Sequence, residues 1–237
     1  MRLEAVRPPI GLALLALTAV AIILIGAVTD IDLHLADWAY DKRLGDFPWR
    51  HAWLAEVLSH VIVKRALIAL AITVIGMVAW DWWRPRPWPA LRRVQLRIVA
   101  LSAMTIPAIV SMLKQVSSSH CPWDIDRYGG SAPYVRLLEA LPAATAPGHC
   151  MPAGHASSAL WLIALAVFFL PARPRVALCV FALMLAFGFA LGWLQQLRGA
   201  HFLSHTLWSV WIACAVQWAL LRWHAPALRE GANPLPR

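Results

Sequence analysis

From residue 9 to residue 222 the chain runs repeatedly for close to twenty residues almost without charge, and bursts of arginine and proline separate the runs. A helix needs ~20 apolar residues to cross a bilayer. In lipid every backbone N–H and C=O must be satisfied within the protein, which a helix does for itself. The pattern predicts an all-α fold, an integral membrane bundle of about six transmembrane helices near residues 9–29, 61–80, 95–114, 156–171, 175–194 and 203–222. The stretch "DWWRPRPWPALRR", Asp81 to Arg93, is expected to be a loop, because proline removes a helical hydrogen bond and clashes with the preceding turn. "PARPR", Pro171 to Arg175, breaks the next apolar stretch in the same way. No internal repeat divides the chain, so residues 1–237 read as one integral domain.

Charge and aromatic residues agree with that class. Only 14% of residues are charged, against about a quarter in a soluble domain. Many of the 14 Trp, including Trp38, Trp53, Trp80, Trp82, Trp83 and Trp223, flank the ends of apolar runs, where amphipathic rings settle at headgroup depth. Pro9 to Val28 is too long for the apolar part of a cleaved leader, and "GAVTD" is a poor cleavage site, so the run reads as a retained signal anchor. The formal net charge is +9. Its arginines sit at the ends of apolar runs, a placement that topology explains, which argues for membrane lipids as partners and against nucleic acid. Arg2 and Arg7, Arg84 to Arg97, Arg173 and Arg175, and Arg222 to Arg237 all fall on one side if both termini are cytoplasmic. The positive-inside rule favours that orientation, in a bacterial inner (cytoplasmic) membrane. Asp30–His60, Lys114–His155 and Gln195–Phe202 then face outward.

The first outward segment, ending at His60, reads mainly as an amphipathic interfacial stretch; Lys64 and Arg65, which begin the second span, could reach a phosphate but read rather as snorkelling side chains. Cys179 and Cys214 fall in spans and read as inert. Cys121 and Cys150 share an outer segment, oxidising in a bacterial envelope. Whether they pair stays open, because spacing does not fix connectivity.

Three outward clusters hold the residues suited to chemistry: "KQVSSSHCPWD" from Lys114, "GHCMPAGHASS" from Gly148 and "LRGAHFLSHTLWS" from Leu197. Lys114 offers a point charge to a phosphate, or a snorkelling interface marker. Gly154 lets backbone approach an anion beside the N–H groups of a helix start. His201 and His205 fall four apart, on one helical face with Arg198. Ionisable groups clustered beside a span are costly without a task.

The order and spacing of these blocks resemble the type-2 phosphatidic acid phosphatase superfamily, related to vanadium haloperoxidases. That family's signature reads K-x6-R-P, then P-S-G-H, then S-R-x5-H-x3-D. Lys114 with Cys121-Pro122 is similar to the first block, cysteine standing for arginine. Pro152-Ala153-Gly154-His155 is similar to the second, alanine standing for serine. His201 matches the histidine of the third, with Gln195 at the arginine position and His205 at the aspartate position. The resemblance covers 114–209 and implies an active site at the outer membrane interface, with no metal and no cofactor. It implies that His201 attacks phosphorus and forms a phosphohistidine. His155 then protonates the leaving oxygen and helps activate water. Lys114, Arg198 and the backbone near Gly154 stabilise the equatorial oxygens. His205 stands where the orienting carboxylate is expected; Asp124 or Asp126 is a candidate replacement for it, and His120 a candidate donor in place of the arginine. The segment "WDIDRYGGSAPY" reads either as a loop over the site or as a surface connection.

The expected function is hydrolysis of a lipid phosphate on the periplasmic face, with a lipid phosphotransferase as a close variant. Two other classes remain open: a zinc or copper site drawn from His120, Cys121, His149, Cys150, His155, His201 and His205, and a non-catalytic phospholipid-binding protein.

Overall fold

The computed structural model describes residues 8–232. Its helices are α1, Pro8–Val28; α2, Ile31–Ala39; α3, Leu54–Trp83; α4, Ala90–Gln115; α5, Gly154–Phe169; α6, Pro174–Leu197; and α7, Leu203–Ala232. Among the described residues extended structure is limited to two isolated bridges, Asp41 with Asp46 and Ile125 with Ala132. The all-α expectation holds. Helices α1, α3, α4 and α6 are long and apolar enough to cross a membrane. The fourth and sixth expected spans differ from these: α5 is shorter, and α7 is diluted by Ser204, His205, Thr206, Ser209 and Gln217.

Two boundaries shift. Helix α3, the second expected span, begins at Leu54, several residues before the expected start, and its first part, Leu54–Val63, winds at the wider π pitch. Glu56, Ser59 and His60 therefore belong to the helix of the second expected span and not to the interfacial stretch before it. The Asp81–Arg93 loop shrinks to residues 84–89, because Asp81 is buried and accepts hydrogen bonds from the Arg86 N–H (2.8 Å) and Arg93 Nε (3.1 Å). That carboxylate ends one helix and secures the start of the next.

Helix α5 runs through the centre, packed by α3, α4, α6 and α7. Ala156, Ala159, Leu160, Trp161, Ile163, Ala164 and Val167 on it are buried. Lipid tails are as apolar as leucine, so hydrophobicity alone does not bring helices together in a bilayer; close packing of small residues does. Gly188 and Gly192, four apart on α6, show this: a Cβ would stand 2.6 Å from Leu160 and 2.4 Å from Thr206. The end of α5 is closed by Gln95, whose Nε2 donates to the carbonyls of Val167 (3.2 Å) and Leu170 (3.0 Å). Ser102 donates to Gln217 (2.9 Å) between α4 and α7.

Above this bundle, at the end where residues 40–53, 116–153 and 198–202 connect the helices, Ala36, Phe47, Ile125, Tyr128 and Phe202 form a second small core. Asp37 on α2 accepts from Arg127 Nε (2.8 Å) and from the Tyr128 hydroxyl (2.9 Å), tying the 116–153 connection down. The Arg127 hydrogen bond beside Asp37 holds its carboxyl below the usual range.

Candidate active site

Lys64 opens the α-helical part of α3, and Lys114 stands one residue before the end of α4. Both line a cavity of about 430 Å³ with Gly154, His155, Ser157 and Ser158. Deeper along α3 its wall is Ile68, Ile72 and Ile75; along α4 it is Val110, Pro107 and Ala103. Helical spacing puts each set on one face. Pro107 has no N–H to return to the Ala103 carbonyl. The cavity thus carries two ammonium groups and an imidazole at its outer end and hydrocarbon below. Nothing lies within 4 Å of where a Cβ on Gly154 would stand, so packing does not require glycine there.

His155 enters this cavity from the first turn of α5. Its ring stacks on His60, with centroids 3.8 Å apart and planes at 25°. Its Nε2 is buried without a hydrogen-bond partner. Behind His60 lies Arg198, the last residue before the turn after α6. Its Nη1 is 3.3 Å from His60 Nδ1 and 3.0 Å from Gln195 Oε1. Its Nε donates to the Arg50 carbonyl (3.0 Å), and Glu56 Oε1 lies 3.8 Å from Nη2. Gln195 in turn donates to Ser59 (3.2 Å). Residue 195, where the signature has arginine, therefore holds Arg198 instead of supplying the charge itself.

His201 is not on helix α7, which starts at Leu203; the helical i, i+4 face expected for Arg198, His201 and His205 does not form. Gly199 breaks it. Its φ is +73°, and a Cβ would stand 2.3 Å from the Phe47 ring, so both conformation and space demand glycine. His201 is only 4% exposed. Cys121 and Cys150 are joined in a disulfide, and His201 Nδ1 lies 3.4 Å from Cys150 Sγ. A disulfide sulfur carries no proton, so that contact leaves Nδ1 as the donor and the lone pair on Nε2. Burial holds the His201 imidazole well below the usual histidine range, with His205, Lys114 and His155 adding to the effect. The ring is uncharged near neutral pH, the form that acts as a nucleophile.

The His205 ring is 5.8 Å from that of His201, edge to face at 69°, and its Nδ1 is buried without a partner. Among the described residues no hydrogen bond joins the two rings. Asp32 of α2 brings a carboxylate to this region. It is buried, accepts from the Ser204 N–H (2.9 Å) and from the Ser204 hydroxyl, and lines a small cavity with His120, Tyr134 and His205. Burial raises its carboxyl above the usual range against the pull of Ser204. Asp124 is occupied elsewhere, accepting the Cys121 N–H (3.3 Å) in a short 3-10 turn.

The structure thus gathers Lys114, Gly154 and His155 around one cavity and links Arg198 to it through His60. His120 and His205 line the separate small cavity, His201 lies against the disulfide, and Asp124 stabilises a turn. Sequence reasoning put Lys64 within reach of a phosphate but preferred snorkelling, and it missed His60, Glu56, Ser59 and Asp32 as neighbours of these groups. Lys64 had a readable signal, since it faces the cavity at the depth where Lys114 ends its helix. Cys121, Cys150 and His201 form the one group among the described residues with three metal-ligating atoms within 4.8 Å. Both sulfurs are bonded to each other, so neither is the thiolate a zinc or copper ion takes.

A family model described as PAP2 superfamily matches residues 95–229. Neither a curated protein nor a solved structure matches the chain.

Proposed function

Because the chain belongs to the PAP2 superfamily, whose members are phosphatases of phosphate esters, we propose that it is a membrane lipid phosphatase acting through a phosphohistidine on the periplasmic face. The observation that carries this reading is the cavity between α3 and α4, cationic at Lys64 and Lys114, with the His155 imidazole beside them, and apolar along Ile68, Ile72, Ile75 and Val110. A phosphate on a hydrocarbon chain matches both halves. Helices α5 and α7 complete six spans, with both termini cytoplasmic.

In the first step the His201 Nε2 lone pair forms a bond to phosphorus as the bond to the lipid oxygen breaks. His155 gives that oxygen its proton. In the second, His155 takes a proton from water, whose oxygen attacks phosphorus and releases His201 and inorganic phosphate. Lys114, Lys64 and the backbone at Gly154 meet the charge on the non-bridging oxygens, and Arg198 adds to the positive field. Cys150 fixes the His201 tautomer, which in the signature falls to the aspartate. For the first step the phosphate must pass from the cavity to the His201 ring, whose basicity Lys114 and His155 already lower.

The test is phosphate release from a panel of lipid phosphates in detergent, by the wild type, His201→Ala and His155→Ala. Release is expected from the wild type, with a loss of about 10²-fold or more in each variant. Release that survives His201→Ala overturns the mechanism.

A further inference from the structure

His60 stands outside the three signature blocks and before the matched region, yet its ring covers that of His155 at 3.8 Å. We propose that His60 is a positioning residue for the reaction: an uncharged ring, fixed in one tautomer by Arg198, that serves as the platform on which His155 is held. The inference rests on the reading of His155 as the acid and base.

Three observations carry it. A guanidinium has donors only, so the 3.3 Å contact from Arg198 Nη1 makes His60 Nδ1 an acceptor and leaves its proton on Nε2. Arg198 is itself held by the Arg50 carbonyl, Gln195 and Glu56, so the donor that fixes His60 is immobile. And His155 Nε2 has no partner of its own, so no hydrogen bond at that nitrogen orients the ring; the stack does. The groups facing His155 are otherwise cationic: Lys64 and Lys114 on the cavity wall and Arg198 behind. A second imidazolium at 3.8 Å would repel the charge that His155 carries as an acid, whereas a neutral π face attracts it. Neutrality of His60 is therefore part of the arrangement, and Arg198 enforces it.

The experiment compares wild type, His60→Phe and His60→Ala in detergent, by steady-state phosphate release and by 15N- and 1H-resolved spectra of the histidine rings. Phenylalanine keeps an uncharged ring; alanine removes it. The expected result is a kcat lowered about 10- to 100-fold in His60→Ala, as for a misplaced catalytic group, with KM within about threefold because the phosphate-binding lysines are untouched. His60→Phe recovers most of the loss. The His155 ring-proton signals move in His60→Ala, where the stacked ring's current is gone, and return in His60→Phe. Should His60→Ala not be recovered folded, His60→Leu, which fills the space without a π face, replaces it. Wild-type kinetics in the ringless variant, or equal impairment of both variants, overturns the proposal. If the wild type releases no phosphate from any lipid phosphate, the phosphatase reading falls; the positioning of His155 is then decided by the spectra alone, and unmoved His155 signals in the ringless variant overturn it.

Discussion

Replacing both Cys121 and Cys150 by serine removes the covalent tie between the Lys114 and Gly154 ends of the site while leaving the native contacts around it. The cysteines are 29 residues apart. Closing a loop of that length removes about 3.6 kcal/mol of unfolded-chain entropy near room temperature. The native side of the balance changes little. Gly148, His149 and Cys150 donate backbone hydrogen bonds to Ser118 (3.1 Å), Ser117 (3.1 Å) and Ser119 (2.9 Å), which need no sulfur. A serine hydroxyl at 150 finds the Ala200 carbonyl, 3.2 Å from the present sulfur. For a chain of this size each kcal/mol moves the melting point by about 2–4 °C, so the variant should melt about 7–14 °C lower. The assay is tryptophan-monitored thermal unfolding in detergent, with mass spectrometry of the unreduced wild type to establish the bond. Dithiothreitol should reproduce the shift in the wild type and leave the variant unmoved. A variant melting within about 2 °C of wild type would refute the entropic reasoning; free thiols at both Cys121 and Cys150 in unreduced wild type, beyond those of Cys179 and Cys214, would refute the bond.

Two further expectations follow from particular residues. Gly154→Ala meets no atom within 4 Å and gains helix propensity of ~1 kcal/mol, so stability should hold or rise. A methyl at the cavity wall should still cost about tenfold in kcat/KM, the equivalent of one lost hydrogen bond, and unchanged kinetics would remove the backbone at Gly154 from the phosphate site. His201 is held below the usual histidine range when folded, whereas the unfolded chain takes up that proton below about pH 6.5. Stability should be full above that pH and fall by up to about 1.4 kcal/mol per unit beneath it, and His201→Gln should lose this part of the slope in unfolding curves at pH 7.5, 6.5 and 5.5. An identical slope in the variant refutes the buried, uncharged His201.

The helical class, the arginine–proline breaks and the three signature blocks were legible because they depend on chain-local properties: run length, helix breakers and fixed spacing. Residues 54–63 were not. Glu56, Ser59, His60 and Lys64 dilute the apolar pattern at that helix start, and what makes those polar residues tolerable there is Arg198 and Gln195, which come from far along the chain. The relation of Arg198 to His201 was misread for the opposite reason. Their spacing fits a helical face, but Gly199 turns the chain, because the Phe47 ring occupies the space a side chain would need. Asp32 carried no readable signal at all. Its bond to Ser204 joins residues 172 apart, and only the packing of α2 over the start of α7 creates it.

Helix α3 supplies Lys64, His60 and one whole wall of the cavity, yet only 6% of its most apolar window is buried within the protein. In a bilayer the remaining surface of that wall would meet acyl chains. Lateral pressure and bilayer thickness would then act directly on the spacing between the two lysines and on the stacked pair of rings. In a bilayer the surrounding lipid would be a mechanical component of the site, and the spacing of its cationic groups would follow the state of the membrane.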